Sequence, residues 1–478
     1  MKNYETVIGL EVHLQLNTKT KIFCGCANTF GQNANTLTCP ICLGLPGTLP
    51  VFNKEVLKNG IRVGLALNCK INSFVKFDRK NYYYPDLPKA YQISQYDFPI
   101  AKDGYLPVQI DGQLKNIGIT RAHMEEDAGK LIHDSEIKAS LVDYNRTGTP
   151  LVEIVSEPDI RSPQEAYDYL TSLKLLMQYL DVSDCDMEKG SLRCDANISL
   201  RKEGAKEFGT KAEVKNLNSF KAVKSALEFE VGRQKKLLDS GERVVQETRL
   251  WDEAKQITLS MRSKEEAHDY RYFPEPDLVP FTVDQKVIDA ARKALPEFPL
   301  AKSGRFIKEY GLSEYDADVL IQDKNLSQFF EDCIVNYNEP KKICNWISGA
   351  LKQELNAKKI NFPEAKLSVD HFISLIQKVD DGTVSNLAGK DVLKIMLDTH
   401  KDPNAIISNK GLAQVSDEGA LENIIAEVVS ENPQIVEQIK LGKESAIGFL
   451  VGQSMRKTQG KANPKIINQM LKRRILDV

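Results

Sequence analysis

No apolar run in this chain approaches the ~20 residues that a membrane-spanning helix needs, and that excludes a helical membrane protein. The opening residues, MKNYETVIGLEVHLQL, have neither the layout of a signal peptide nor the Arg/Ser-rich character of a transit sequence; they read at once as structure. The phosphate-cradling glycine loops of P-loop NTPases and of protein kinases are both missing, so any nucleotide site is of another type. A large charge excess is missing too. The net charge is -2, and any polyanion contact must come from a local basic patch. Nine cysteines are an odd number, and four of them cluster, which argues against a disulfide framework and for a metal site in a reducing cytoplasm.

What is present is a soluble globular composition, 42% hydrophobic and 27% charged, over 478 residues. That length allows two or three domains. Pro296 and Pro299 mark a linker, and beyond them the pattern turns helical. We place one break near residue 293 and a softer one near 405.

The densest chemistry lies in Thr120 to Lys130, TRAHMEEDAGK, where His123, Glu125, Glu126 and Asp127 fall within five residues. Carboxylates this close repel and desolvate badly without partners. Two readings are open: a solvated charged turn, or half of a magnesium–phosphate site. Val7 to Leu16 alternates with period two, putting Glu11 and His13 side by side on one strand face. Glu153 sits inside the apolar run LVEIVSE, where a lone carboxylate needs a cation, a metal or a proton. Leu141 to Arg146 and Leu151 to Glu157 read as two strands joined by the turn Thr147-Gly148-Thr149-Pro150.

Cys24-x-Cys26, twelve residues and Cys39-Pro-Ile-Cys42 have the spacing of a structural zinc site. Four thiolates close the coordination shell, so this is a staple, not a catalytic centre. Phe77 to Ser94 interleaves Arg79, Lys80 and Lys89 with four tyrosines and suits either a substrate surface or core packing. Glu188 to Ser199 and Gly209 to Ser219 present Arg193, Asp195, Lys211, Glu213 and Lys215 at alternating positions. ATP needs such cations for its phosphates and carboxylates for its magnesium, although an ordinary solvent face fits equally. From Gly452 to Leu476 there are seven basic residues and no acid: Arg456, Lys457, Lys461, Lys465, Lys472, Arg473 and Arg474. They suit an RNA backbone or a solvated helix.

Several long motifs then carry a resemblance. Ile8 to His13, Cys39 to Gly47, Phe77 to Ser94, Ile119 to Lys130, Asn145 to Pro158, Gly190 to Ser199, Asp269 to Pro280 and Gly448 to Pro464 resemble the B subunits of bacterial aspartyl/glutamyl-tRNA amidotransferases. The resemblance implies an α+β fold: a mostly antiparallel, β-rich cradle with a zinc knuckle over 1–293, an all-α domain over 294–405 and a small helical, tRNA-binding tail over 406–478. It implies a ligase reaction. The side-chain carboxylate of a mischarged Glu-tRNA(Gln) or Asp-tRNA(Asn) is phosphorylated by ATP, and the acyl phosphate is amidated with ammonia from an amidase A subunit. A small C subunit and the synthetase that mischarges the tRNA are further expected partners. The residues agree with this division of labour, because no Ser–Lys amidase pattern and no catalytic cysteine stands out.

Carried over by position, the resemblance implies a magnesium site of His13, Glu126 and Glu153, with Glu11, His123 and Glu125 beside it. It places Lys89, Thr149 and Asp195 along the ammonia path. Arg193, Lys211 and Lys215 are the expected ATP contacts. On strict alternation Glu125 and Glu126 face opposite ways, so only one reaches the metal unless a bulge intervenes. A competing reading, a tRNA-binding scaffold without chemistry, has no need for these carboxylates to converge.

Overall fold

The computed structural model describes residues 4–134, 138–263, 270–413, 418–458 and 462–476. The chain divides into two compact units, residues 1–298 and 299–478. The first contains β1 (Tyr4–Gln15), α1 (Lys54–Ala66), β2 (Lys70–Ile71), β3 (Phe74–Val75), β4 (Asp78–Asn81), β5 (Tyr91–Ser94), β6 (Ala101–Ile110), β7 (Gln113–Glu126), β8 (Lys130–Asp134) and β9 (Ala139–Asp143). There follow β10 (Pro150–Ser156), α2 (Pro163–Tyr179), β11 (Leu192–Lys202), β12 (Ala212–Leu217), α3 (Phe220–Ser240), β13 (Glu247–Asp252), β14 (Ile257–Ser263), β15 (Phe273–Pro274), β16 (Phe281–Thr282) and α4 (Gln285–Lys293).

Nine strands form one sheet in the order β14-β13-β12-β11-β1-β10-β7-β6-β2. The pairing is antiparallel apart from β12 with β13, which is parallel. Period-two alternation gives the sheet two unlike faces. Ile8, Leu10, Val12 and Leu14 of β1 are buried on one face with Met124, Val152, Ile154, Cys194 and Ala196. On this apolar face α3 packs on β11, α2 on β6, and α1 on β6 and β7. The helices begin where the sequence supplies caps: Ser162 Oγ accepts from the Glu165 amide and Ser219 Oγ from the Ala222 amide. The other face carries Glu11 and His13 and belongs to the site described below.

Of the two readings open for Thr120–Lys130, burial removes the solvated turn: Glu125, Glu126 and Asp127 are all buried at the end of β7. The strands expected around Leu141 and Leu151 do not form a hairpin. β9 pairs with β8, whereas β10 is taken on both edges by β1 and β7. Gly148, at φ 80°, turns the chain between them.

The motif Asp269 to Pro280, punctuated by Pro274, Pro276 and Pro280, is clamped to β4, its first residue, Asp269, lying outside the described residues. β15 pairs with β4. Arg79 donates from Nε and Nη2 to the buried Glu275 carboxylate, each at 2.8 Å, a bidentate geometry that fixes both segments.

The second unit is helical. Within it Leu421, Ile425, Val428, Ile439, Ile447, Leu450, Ile467, Leu471 and Ile475 enclose a core of their own. Asn463 caps the last helix, Pro464–Leu476, accepting from the Lys465 amide at 2.9 Å. Arg456, Lys465, Lys472, Arg473 and Arg474 are exposed. Lys457 is committed to Glu427 and Glu431, and Lys472 to Glu444. Lys461 lies outside the described residues.

Candidate active site and metal knuckle

The polar face of the sheet carries its chemistry in lines that cross the strands. Arg193 of β11, His13 of β1, Glu153 of β10 and His123 of β7 are successive cross-strand partners. Directly opposite residues share a face, so these four side chains stand in a row across four strands. A second row, from neighbouring register positions, holds Asp195 and Glu11. Glu125, two residues on from His123, closes the cluster.

The distances show what converges. His13 Nε2 lies 3.3 Å from Glu153 and 3.6 Å from Glu125, and His123 Nε2 lies 3.4 Å and 3.6 Å from the same two carboxylates. Burial works against a charged His13, but Glu153 and Glu125 outweigh it and hold its pKa above the ordinary value. Burial likewise works against the Glu125 and Glu153 carboxylates, and the two histidines bring both below the ordinary range. Asn197 donates to Glu11 at 2.9 Å. Beside the row, the buried Asp127 accepts from Arg193 at 2.8 Å and Gln15 at 3.2 Å, with Arg146 at 3.5 Å.

Glu126 goes elsewhere. Alternation turns it to the opposite side, where it accepts from Lys89 Nζ and from the Ile93 amide at 2.9 Å. Of the trio expected for magnesium, His13, Glu126 and Glu153, Glu126 does not meet the other two, since β7 reaches it without a bulge in its pairing with β10 there; ligand atoms of His13, Glu125 and Glu153 are the ones that lie within 4.8 Å of one another. The expected ammonia-path residues do not gather at one point. Lys89 pairs with Glu126, Thr149 donates to Asn28 at 3.2 Å, and Asp195 accepts from Lys215 at 2.6 Å on the row face. Of the expected ATP contacts Arg193 joins the row, Lys215 is held between Asp195 and Glu213, and Lys211 is exposed just ahead of β12.

The four expected zinc ligands do assemble. One sulfur each from Cys24, Cys26, Cys39 and Cys42 lies within 4.8 Å of the others. Between this knuckle and the Lys89–Glu126 pair lies a cavity of about 120 Å³, lined among others by Cys42, Gly44, Lys89, Tyr91 and Glu126.

With the geometry in place, similarity to known proteins decides the family. Residues 6–289 match the model of the GatB/GatE catalytic domain, and residues 328–475 match that of the GatB domain. The chain belongs to the GatB family. The B subunit of the aspartyl/glutamyl-tRNA(Asn/Gln) amidotransferase of Carboxydothermus hydrogenoformans is 54% identical to it over 475 residues, 99% of each chain. Proteins of the same name from Caldanaerobacter subterraneus and Brevibacillus brevis are 56% and 53% identical, each over 98% of both chains.

The donor sets in this family member fit the implied metals. A tetrahedral ion at Zn–S ≈ 2.3 Å needs sulfurs about 3.8 Å apart, within the 4.8 Å envelope of the four cysteines. The Cys24–Cys42 bond holds the Cys42 thiol down and pushes the Cys24 thiol up, so of this pair Cys42 is the sulfur that gives up its proton first. Glu125 and Glu153 offer the oxygens that a hard dication prefers, with the His13 nitrogen within the same 4.8 Å envelope. The adjacent His123 Nδ1 is buried and has no hydrogen-bond partner among the described residues.

Sequence reasoning left Lys80 and Tyr82 in a loop suited either to a substrate surface or to core packing, and gave Tyr270, Tyr272 and Tyr96 no role of their own. Tyr82 and Tyr272 are pushed well up, first by burial and then by the Glu125 charge. Tyr272 stacks on Tyr96 at 4.2 Å, and Tyr270 meets Tyr82 edge-on at 6.0 Å. Lys80 lies 4.8 Å from the Tyr270 ring and helps hold Glu153 low. The tyrosine-rich loop and the Pro-punctuated stretch were visible as motifs; the β4–β15 pairing that joins them was not.

Proposed function

We propose that this chain is the activating subunit of a glutamine-hydrolysing, tRNA-dependent amidotransferase, acting on Glu-tRNA(Gln), Asp-tRNA(Asn) or both. The observation that carries the reading is the convergence of His13, Glu125, Glu153 and His123 from three adjacent strands, for which a binding scaffold has no use. Membership of the family, and relatives named as amidotransferase subunits over their full lengths, support it.

In this reading the side-chain carboxylate of the aminoacyl group attacks the γ-phosphorus of ATP. ADP leaves and an acyl phosphate forms. Ammonia then attacks the acyl carbon, phosphate departs, and the amide is left on the tRNA. Such a step needs positioning and charge rather than an enzyme nucleophile. Magnesium, when bound, supplies positive charge that screens the phosphoryl oxygens. Glu125, Glu153 and His13 would hold it there. Arg193, at the end of the row, and Lys80, under its tyrosines, are the cations placed to meet the phosphates. Glu11, hydrogen-bonded to Asn197, and Asp195, paired with Lys215, set the polar floor.

Ammonia from an amidase partner approaches from the other side of the sheet, through the cavity between the knuckle and Lys89. There the Lys89–Glu126 pair stands at the end of β7, within one residue of Glu125. An acyl phosphate hydrolyses readily, so a closed route keeps water away. Zinc staples the knuckle that walls this cavity. Residues 1–293 carry the chemistry, residues 294–405 form a helical domain, and the exposed cations of residues 406–478 contact the tRNA backbone.

The decisive experiment reconstitutes the chain with its amidase and small partner subunits and follows ATP- and glutamine-dependent conversion of each mischarged tRNA. Conversion that proceeds without ATP, or no conversion of either tRNA by the intact complex, overturns the reading.

A further inference from the structure

Lys21 is fully buried, with 0% of its surface exposed, yet it makes no ion pair with a carboxylate among the described residues. Its ammonium donates to the Leu37 carbonyl at 2.7 Å and lies 3.8 Å from Cys42 Sγ. A buried ammonium without a counter-charge costs several kcal/mol, and one carbonyl does not supply a charge. The four-cysteine knuckle does. Four thiolates around one divalent ion leave an excess of two negative charges, and Cys42 is the sulfur that Lys21 faces. The Cys39 amide donates to the same sulfur at 3.2 Å. Cys42 is thus approached by one full and one partial positive charge.

The position of Lys21 in the chain matters as well. Its neighbour Ile22 donates to the Gly148 carbonyl at 3.0 Å, and the Gly148 amide donates to the Asp127 carbonyl at 2.9 Å. A methyl group at Gly148 would touch both the Lys21 stem and Cys42 at 3.5 Å. Two backbone hydrogen bonds therefore run from beside the cation to Asp127, at the end of the strand that carries Glu125.

We infer that Lys21 is the built-in counter-cation of the four-cysteine site, retaining the metal and shielding its thiolates, and thereby keeping the loaded knuckle docked on the Gly148–Asp127 end of the catalytic strands. The inference rests on the reading of the knuckle as a zinc site. Outer partners of metal ligands change metal affinity by about 10–100-fold, and Lys21→Met removes the charge while keeping an apolar stem of similar reach.

The test uses the full chain in its complex. Zinc release to a colorimetric chelator is timed, together with alkylation of the knuckle cysteines. Lys21→Met is expected to lose zinc at least tenfold faster and to alkylate faster. Lys21→Gln, which still donates to the Leu37 carbonyl without a charge, is expected to behave like Lys21→Met, and it decides the question alone if the methionine variant does not fold. Wild-type zinc retention in Lys21→Gln assigns the lysine to the carbonyl only and overturns the proposal. A wild-type chain that purifies without stoichiometric zinc under reducing conditions overturns the zinc reading itself, a failure distinct from equal release rates.

Discussion

Glu125 and Glu126 are neighbours in sequence and both are buried, yet they should fail in different ways when each is changed to Gln. Glu125 lies 3.6 Å from both His13 Nε2 and His123 Nε2, in the same cluster as Glu153. Two unit charges at about 4 Å interact by ~4 kcal/mol at an effective dielectric of ~20. Neutralising Glu125 therefore removes an attraction of that order for any cation held there, equivalent to about a thousandfold at limiting magnesium. Glu126→Gln keeps an acceptor for the Ile93 amide but leaves the Lys89 ammonium opposite a neutral amide. That change should cost about 1–3 kcal/mol of stability without touching the cation cluster. The assay supplies ammonium in place of glutamine, so that the partner's chemistry drops out, and titrates magnesium. Glu125→Gln should raise the magnesium concentration for half-maximal amidation by orders of magnitude, whereas Glu126→Gln should leave it within about threefold of wild type while lowering the melting temperature. If Glu126→Gln shifts the magnesium requirement and Glu125→Gln does not, the assignment of Glu125 to the cluster is refuted.

Three further outcomes are expected. Glu230 is fully buried and accepts from Arg233 at 2.8 Å, Thr258 at 2.5 Å and Gln234 at 3.1 Å, with Arg249 at 2.9 Å; Glu230→Gln should cost about 3 kcal/mol in denaturant unfolding at neutral pH. Burial raises the Glu230 pKa but its partners bring it net below the ordinary 4.5, so its contribution is present above that value and lost as pH falls through the depressed one; the gap between wild type and Glu230→Gln should close on acidification, and a constant gap would contradict the ion-pair account. Chelating the knuckle metal under reducing conditions should expose residues 24–50 to protease before the sheet unfolds, since a structural zinc contributes local folding energy; unchanged cleavage would count against a zinc staple. Replacing the exposed Arg456, Lys465 and Arg474 with Gln should weaken tRNA binding and flatten its salt dependence by about 2–3 in log–log slope, and an unaltered slope would remove the tail from the interface.

The ingredients of the site were legible in local pattern. Period-two alternation put Glu11 and His13 on one face of a strand, and the same rule separated Glu125 from Glu126, because a pleated backbone sends successive side chains to opposite sides. Cysteine spacing announced the knuckle. Which strands lie side by side, and in what register, was legible nowhere before the chain folded. Those long-range choices made a row of Arg193, His13, Glu153 and His123, assigned Glu125 to it, and sent Glu126 to Lys89. They also separated β9 from β10 and paired β15 with β4, joining two segments far apart in the chain. Alternation is a local property of each strand, whereas pairing is settled by the burial of whole faces against α1, α2 and α3, which no short stretch of the chain encodes.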